Sequence, residues 1–415
     1  MKSIRLLGCM LLIIMAACQS NSDVDLKIDI KEPQTHYVSL QDAQGDLEGL
    51  LNDLYGKEGT RTGDSRKSIQ NAYTIKIGDN RNPTRSEQTD SLMIHVFNFE
   101  NEGGFALMSA DDRMPSLLAL ANSGYYTSAL ETDNPGFSLF MENLVNTYSS
   151  FPYEPINPVI PMDTIPGGFR NVEVGEWENI VYKPGGYCNV TWGQEDPYYN
   201  FCPIINGQHA PTGCVATAAA QLISIYKFPS SYNGHTYNWS AMTSQPKASY
   251  CTTAAKDQIA HLMADLGLKS NLNMNYNLGG SGAFIGDVSR TLKHLGYSKT
   301  GDLASYSINK IESEIKNGYS VLVRGATAPN ADGHCWLIHG LLERTRATRE
   351  YYNHKLINTT YETEWYPLCN WGWNGDDDGY YLSAVFDPSE GPSFPTSTRS
   401  SNLNCDMKIL TNIRK

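Results

Sequence analysis

Two apolar runs dominate the first third of the chain, Met93 to Phe99 and Phe105 to Ser109, both rich in branched, aromatic and sulfur-bearing side chains. They read as strands, and Glu100 to Gly104 between them ends in a glycine pair suited to a hairpin turn. Phe137 to Tyr148 repeats its apolar positions at helical spacing instead.

A second pattern begins past residue 210. Thr212 to Tyr226 puts Val215, Ala218, Ala219, Leu222 and Tyr226 on one helical face, and Phe228-Pro229 stops that helix. Further helices are predicted over about Ala254 to Leu266, Gly286 to Leu295 and Ile308 to Lys316. Short strand-like runs follow at Val321 to Val323, His334 to Ile338, Tyr366 to Trp371, Gly379 to Leu382 and Met407 to Leu410. Helices first and strands later predict an α+β domain.

Between the two patterns lie Pro152, Pro155, Pro158, Pro161 and Pro166, which exclude regular helix and favour an extended, exposed connection open to proteolysis. A chain of 415 residues exceeds the size at which one core stops growing, so a boundary here is expected. The division is 1–18 leader, 19–150 tether and first folded unit, 151–175 linker, and 176–415 larger domain.

Composition adds exclusions. With 40% hydrophobic, 18% charged and 11% aromatic residues the chain reads as globular. A formal charge of −12 without a Lys/Arg stripe argues against nucleic acid as a partner.

The leader reads as an export signal: Lys2 and Arg5, an apolar stretch from Leu6 to Ala17 too short to span a bilayer, then Ala16-Ala17-Cys18. A cysteine after two alanines resembles the lipobox of bacterial lipoproteins. It predicts lipidation at Cys18 and a membrane-anchored protein at the cell envelope or surface, with release of the mature form open. An ordinary secretory signal cut near Cys18 is the alternative. Seven cysteines remain, Cys188, Cys202, Cys214, Cys251, Cys335, Cys369 and Cys405. Export permits disulfides, and the odd number leaves at least one thiol free. No CxxC pair or close Cys/His cluster suggests a metal, and no cofactor is expected.

Cys214 falls in the first turn of the helix predicted after Thr212-Gly213. There the helix dipole and open N–H groups favour a thiolate, with threonine as cap and glycine allowing close approach. Taken alone, a cysteine among alanines and valine is more often inert core. Gln208, six positions upstream, offers an amide for an oxyanion, against the plain reading of a surface glutamine. His334, after Asp332-Gly333 at a strand start, is the best general base among nine histidines, with His209 its competitor and a satisfied core histidine the bland reading. Asn370-Trp371-Gly372-Trp373 supplies an amide to orient the imidazole and rings to shield it, or plain core.

Together these residues resemble the streptopain family of papain-like cysteine peptidases. Gly207 to Gln221 is similar to its nucleophile motif, Asp332 to Ile338 to its histidine motif, and Asn370 to Gly375 to its tryptophan-rich motif. Weaker matches are Trp192-Gly193-Gln194 with Pro197 to Asn200, Tyr237-Asn238-Trp239, and Met274-Asn275-Tyr276 before Gly280 to Ala283. Val96 to Phe99 and the segment after Gly103 resemble the family's inhibitory prodomain.

The resemblance implies a papain-like α+β fold behind a small α+β prodomain that inhibits its own enzyme. It implies an endopeptidase acting on proteins or peptides through Cys214 and His334, made as a zymogen. Gln208 stands near the oxyanion, Asn370 or Trp371 supports the imidazole, and Ser281 and Gly333 contact substrate. His339 departs from the family, which commonly has aspartate there, and Arg344 to Trp365 reads as an insertion. Transfer of the acyl group to an amine, and a non-catalytic surface lipoprotein, are the rival readings.

Overall fold

The computed structural model describes residues 36–56, 67–77, 92–127, 132–149, 170–326, 333–386 and 406–415. The leader, Cys18, most of the proline-rich linker and Cys405 lie outside the described residues. His36 to Lys415 form one compact unit.

The first part begins with helix α1 (Leu40–Tyr55), capped by the Ser39 hydroxyl on the Asp42 N–H. Strands β1 (Ile69–Ile77), β2 (Leu92–Phe99), β3 (Phe105–Ser109) and β4 (Leu117–Ala121) then form an antiparallel meander, followed by helix α2 (Pro135–Ser149). The two strands and the helix expected here are present, each within two residues of its expected ends. Helix α1 and strands β1 and β4 were not anticipated.

The larger part opens with β5 (Arg170–Val174) and β6 (Glu178–Tyr182). The end of the segment expected to be linker is therefore paired strand. Two small hairpins, β7 (Ile204–Ile205) with β8 (Gln208–His209) and β9 (Ser231–Tyr232) with β10 (His235–Thr236), flank helix α3 (Cys214–Tyr226). Helices α4 (Trp239–Met242), α5 (Thr253–Gly267) and α6 (Asp287–His294) complete the helical half. Strand β11 (Lys299–Ser305), helix α7 (Ile308–Lys316), β12 (Val321–Ala326), β13 (His334–Tyr352), β14 (Lys355–Asn370), β15 (Gly379–Tyr381) and β16 (Asp406–Arg414) form the sheet half.

One antiparallel sheet crosses both parts, in the order β1-β2-β3-β4-β15-β14-β13-β12-β16-β11. Gly379 and Tyr381 of β15 stand opposite Ala121 and Ala119 of β4, joining the two parts through main-chain pairing. The free side of β13 is served in turn by β12 at its start, then β6, then β5. The segment read as an insertion is thus not a loop but a long β13–β14 ribbon.

Alternation along the central strands feeds two cores, as a pleat with a two-residue period requires. Val321, Val323, Trp336, Ile338 and Ile409 join the core that holds Phe137 and Phe140 of α2. Leu322, Cys335, Leu337 and Leu410 join the core under α3, α5 and α6. Each buried phenylalanine of α2 contributes about 1.5–3 kcal/mol of transfer free energy, so the first part is bound to the second by core as well as by sheet.

Candidate active site

Helix α3 starts on Gly213, whose φ of +86° no other residue adopts cheaply. A Cβ there would lie 2.6 Å from the Ser281 carbonyl oxygen and 3.0 Å from Met274 Sδ. The expected threonine cap is absent. Thr212 sends its N–H to the Gln194 carbonyl (3.0 Å), and its hydroxyl meets that of Thr217 (2.9 Å). The helix thus has no side-chain cap, leaving first-turn N–H groups beside Cys214 uncapped.

Cys214 is half-buried. Burial pushes its thiol up from the usual value; the Cys335 and Val215 N–H groups, its own N–H and the charge of Arg324 act the other way without prevailing. The dipole effect expected for a helix-start cysteine is outweighed by desolvation.

His334 opens β13 on the same face as Trp336, whose ring parallels the imidazole at 6.3 Å, and so faces the α2 side of the sheet. Its Nε2 donates to the Trp371 carbonyl at 2.7 Å, which fixes the proton on Nε2 and leaves Nδ1 with its lone pair. Burial holds the imidazole neutral, with its pKa lowered to about 4. The Cys214 thiol lies by the N–H of Cys335, the next residue, which brings it to the end of β13 that carries His334. No hydrogen bond joins them among the described residues.

The first part of the chain reaches this end of β13. Asn134 donates through Nδ2 to the Asp376 carbonyl (2.8 Å) and accepts the Gly136 N–H on Oδ1 (3.0 Å), starting α2. A Cβ on Gly136 would lie 2.3 Å from Trp371 Cε3 and 3.0 Å from His334 Cδ2. The start of α2 therefore covers His334.

Asn370 does not reach His334. Its Nδ2 donates to Val190 (2.8 Å), and its Oδ1 accepts from Gln221 (2.7 Å) and from the Gly372 N–H (3.2 Å). The amide ties β14 to α3, and the atom on the imidazole is the main-chain oxygen of Trp371. Trp371 is itself fixed, its N–H on Asp378 Oδ1 (2.8 Å) and its indole N–H on the Asp377 carbonyl (3.0 Å). Burial raises Asp378 to about 8.

Gln208 is exposed on β8, in the two-residue hairpin with β7. Gln194 is buried, its main chain is bonded to Thr212 two residues before Cys214, and its side-chain amide has no hydrogen-bond partner among the described residues. The oxyanion candidate moves from Gln208 to Gln194; the signal in the sequence was the Trp192-Gly193-Gln194 motif. His209 is occupied, its Nδ1 on the Cys202 carbonyl at 3.0 Å.

Ser281 is buried, with its carbonyl against Gly213 and its hydroxyl accepting from the Asn277 N–H (3.3 Å). Gly333 is exposed, and a Cβ there would meet the Gly325 carbonyl at 2.4 Å, so the β12–β13 approach itself demands glycine. His339 is buried and neutral, its pKa lowered to about 4 by burial, and accepts the Cys188 N–H on Nδ1 (3.2 Å). The six described cysteines are all free.

Residues 192–381 match the model of the peptidase C10 family, and residues 60–148 that of the Spi protease inhibitor. The thiol protease/hemagglutinin PrtT of Porphyromonas gingivalis is 25% identical over 80% of this chain, which spans only 40% of that protein. Streptopain of Streptococcus pyogenes serotype M1 is 24% identical over 71% of this chain and 75% of its own length. The structure of a Prevotella intermedia prointerpain A fragment is similar over 82% of this chain and 98% of its own, at 23% identity and a TM-score of 0.49. With a helix-borne cysteine, a sheet-borne histidine and both family models matched in order, the chain is a streptopain-family cysteine peptidase, its residues 192–381 matching the peptidase C10 model, and carries an inhibitor-type prodomain.

Proposed function

We propose that the chain is the exported precursor of an endopeptidase in which Cys214 and His334 become a catalytic pair once the prodomain leaves. One observation carries this reading. The thiol and the imidazole stand at the same end of β13, with the imidazole oriented through Nε2 by Trp371, yet the start of α2 lies over His334. Both groups are then neutral, a resting state.

With α2 gone, water and substrate reach this end of β13, the desolvation that holds both groups neutral is relieved, and His334 Nδ1 accepts the Cys214 proton. The thiolate sulfur bonds to the scissile carbonyl carbon. The oxyanion takes hydrogen bonds from the Cys214 N–H and the Gln194 amide. Collapse expels the amine with the proton of His334, and water, deprotonated by His334, hydrolyses the thioester. No metal or cofactor enters this scheme.

The test is self-processing. The chain from residue 19 onward is followed on a gel beside Cys214→Ala; the variant should persist uncut. Maturation of the variant at the wild-type rate without added protease would refute Cys214 as the processing nucleophile. Labelling of Cys214 by a thiol-directed epoxide, in the matured form only, is the second readout.

Export and anchoring rest on the leader: Lys2, Arg5, the apolar run and Ala16-Ala17-Cys18 support lipidation at Cys18. A labelled fatty acid should enter the wild type but not Cys18→Ala; equal incorporation in both would remove the anchor.

A further inference from the structure

Far from Cys214, the β13–β14 ribbon carries a second set of contacts between the prodomain and the rest of the chain. Arg344 on β13 is 1% exposed, an extreme burial for a charged side chain. Its Nη2 donates to Asp46 Oδ1 of α1 at 2.8 Å, its Nη1 to Ser116 Oγ before β4 at 3.2 Å, and its Nε to Asn179 Oδ1 of β6 at 3.1 Å. The guanidinium also lies 4.8 Å from the centre of the Trp177 ring and 3.9 Å from Glu364 Oε2.

Asn179 extends the join by donating to Asp53 of α1 at 2.8 Å, one heptad beyond Asp46 on the same helix side. The Tyr366 hydroxyl lies 2.9 Å from the Leu117 carbonyl and 2.7 Å from Glu364. Prodomain groups thus supply Asp46, Asp53, Ser116 and Leu117, and the ribbon with β6 supplies Arg344, Tyr366 and Asn179. Asp46, at 2.8 Å, stands nearer to Arg344 than Glu364 does at 3.9 Å, and burial raises the Glu364 carboxyl to about 7.

We propose that the β13–β14 ribbon is a second docking site for the prodomain, anchored by Arg344 on Asp46 and Ser116, and that it governs how long the prodomain stays bound after the linker is cut. The inference rests on the reading that residues up to 150 are a removable inhibitor. A buried charge left by its partner is costly, since removal of Asp46 strands a desolvated guanidinium. The α1–ribbon join uses residues separate from those of α2 at His334, so it resists release even when the contacts of Gly136 there are lost. Cleavage of the linker and gain of activity are then separate events.

The experiment uses the full chain with Cys214→Ala and a site-specific protease sequence inserted in the linker. After cleavage, retention of the prodomain is read by size-exclusion chromatography, and its release rate by dilution. Asp46→Asn and Arg344→Gln should each release it at least tenfold faster, and the double variant no faster than the faster single one, because the two share one interaction. Asn134→Ala, at the other contact, should add its effect to that of Asp46→Asn. Release at the wild-type rate from Asp46→Asn, in a chain with unchanged melting before cleavage, overturns the proposal. Where Asp46→Asn or Arg344→Gln does not fold, Ser116→Ala and Tyr366→Phe probe the same surface, and wild-type release from both overturns it equally. A parallel chain with Cys214 intact, cut and freed of prodomain, separates the two ideas: absence of peptide hydrolysis there counts against the peptidase, not against the docking site.

Discussion

His334 Nε2 donates to the carbonyl oxygen of Trp371 at 2.7 Å, and that bond holds the imidazole on the prodomain side of the sheet. Gly136 fits over it only because it lacks a side chain. Gly136→Val should push the start of α2 off Trp371 and His334, so that the precursor matures several-fold faster on a gel time course. Unchanged or slower maturation would show that this approach does not restrain the imidazole.

The Gln194 amide, without a partner among the described residues, and the exposed position of Gln208 give opposite expectations. Gln194→Ala should lower kcat about 10²-fold, the usual loss of one oxyanion donor, with KM little changed. Gln208→Ala should stay within about twofold of wild type, as surface changes away from a site do. Steady-state kinetics on a peptide substrate decides; the reverse ranking would restore Gln208.

Asn370 bonds Val190, Gln221 and Gly372 in the buried centre. Asn370→Ala strands these groups and should cost about 2–4 kcal/mol of stability, since each buried unsatisfied group costs about 1–3 kcal/mol. Folded variant should keep the pH profile of kcat, because its amide does not touch the imidazole. A shifted profile would place it there.

Asp378 supplies a pH test with a definite sign. Its folded carboxyl is raised to about 8, above the ordinary value of an unfolded aspartate. Below pH about 4 both states hold the proton. As pH rises toward 8 the unfolded state ionises first and the wild type loses stability. Asp378→Asn still accepts from Trp371 and cannot ionise. Its stability relative to wild type should grow by at least about 1 kcal/mol between pH 4 and 8, the worth of about one pKa unit. A constant difference in denaturant melts would contradict the buried, protonated carboxyl.

What the sequence made legible follows a physical divide. Strands β2 and β3 and helices α3, α5 and α7 carry one-sided apolar patterns, and their ends were read to within about two residues. The β13–β14 ribbon escaped because past residue 345 its residues are half-buried on β13 and mostly exposed on β14, on both faces alike, leaving no alternation to detect. Helix α1 was hidden by its many polar residues. In the site, Cys214 and His334 were named from their motifs, and the Trp371 oxygen was not, since a main-chain atom leaves no mark in side-chain identity. Gln194 was passed over because closeness to Cys214 comes from the Thr212 pairing, not from spacing along the chain.

The pairing of β4 with β15 has one more consequence. If the prodomain departs as proposed, Gly379 to Tyr381 lose their neighbour and become a bare strand edge, and the rings of Tyr381 and Phe386 lose the cover of Phe137 and Phe140. An unpaired edge beside uncovered aromatic surface is a template for self-association. The matured form therefore gives up colloidal stability that the precursor possesses, and high concentrations should drive it, and not the precursor, toward aggregation.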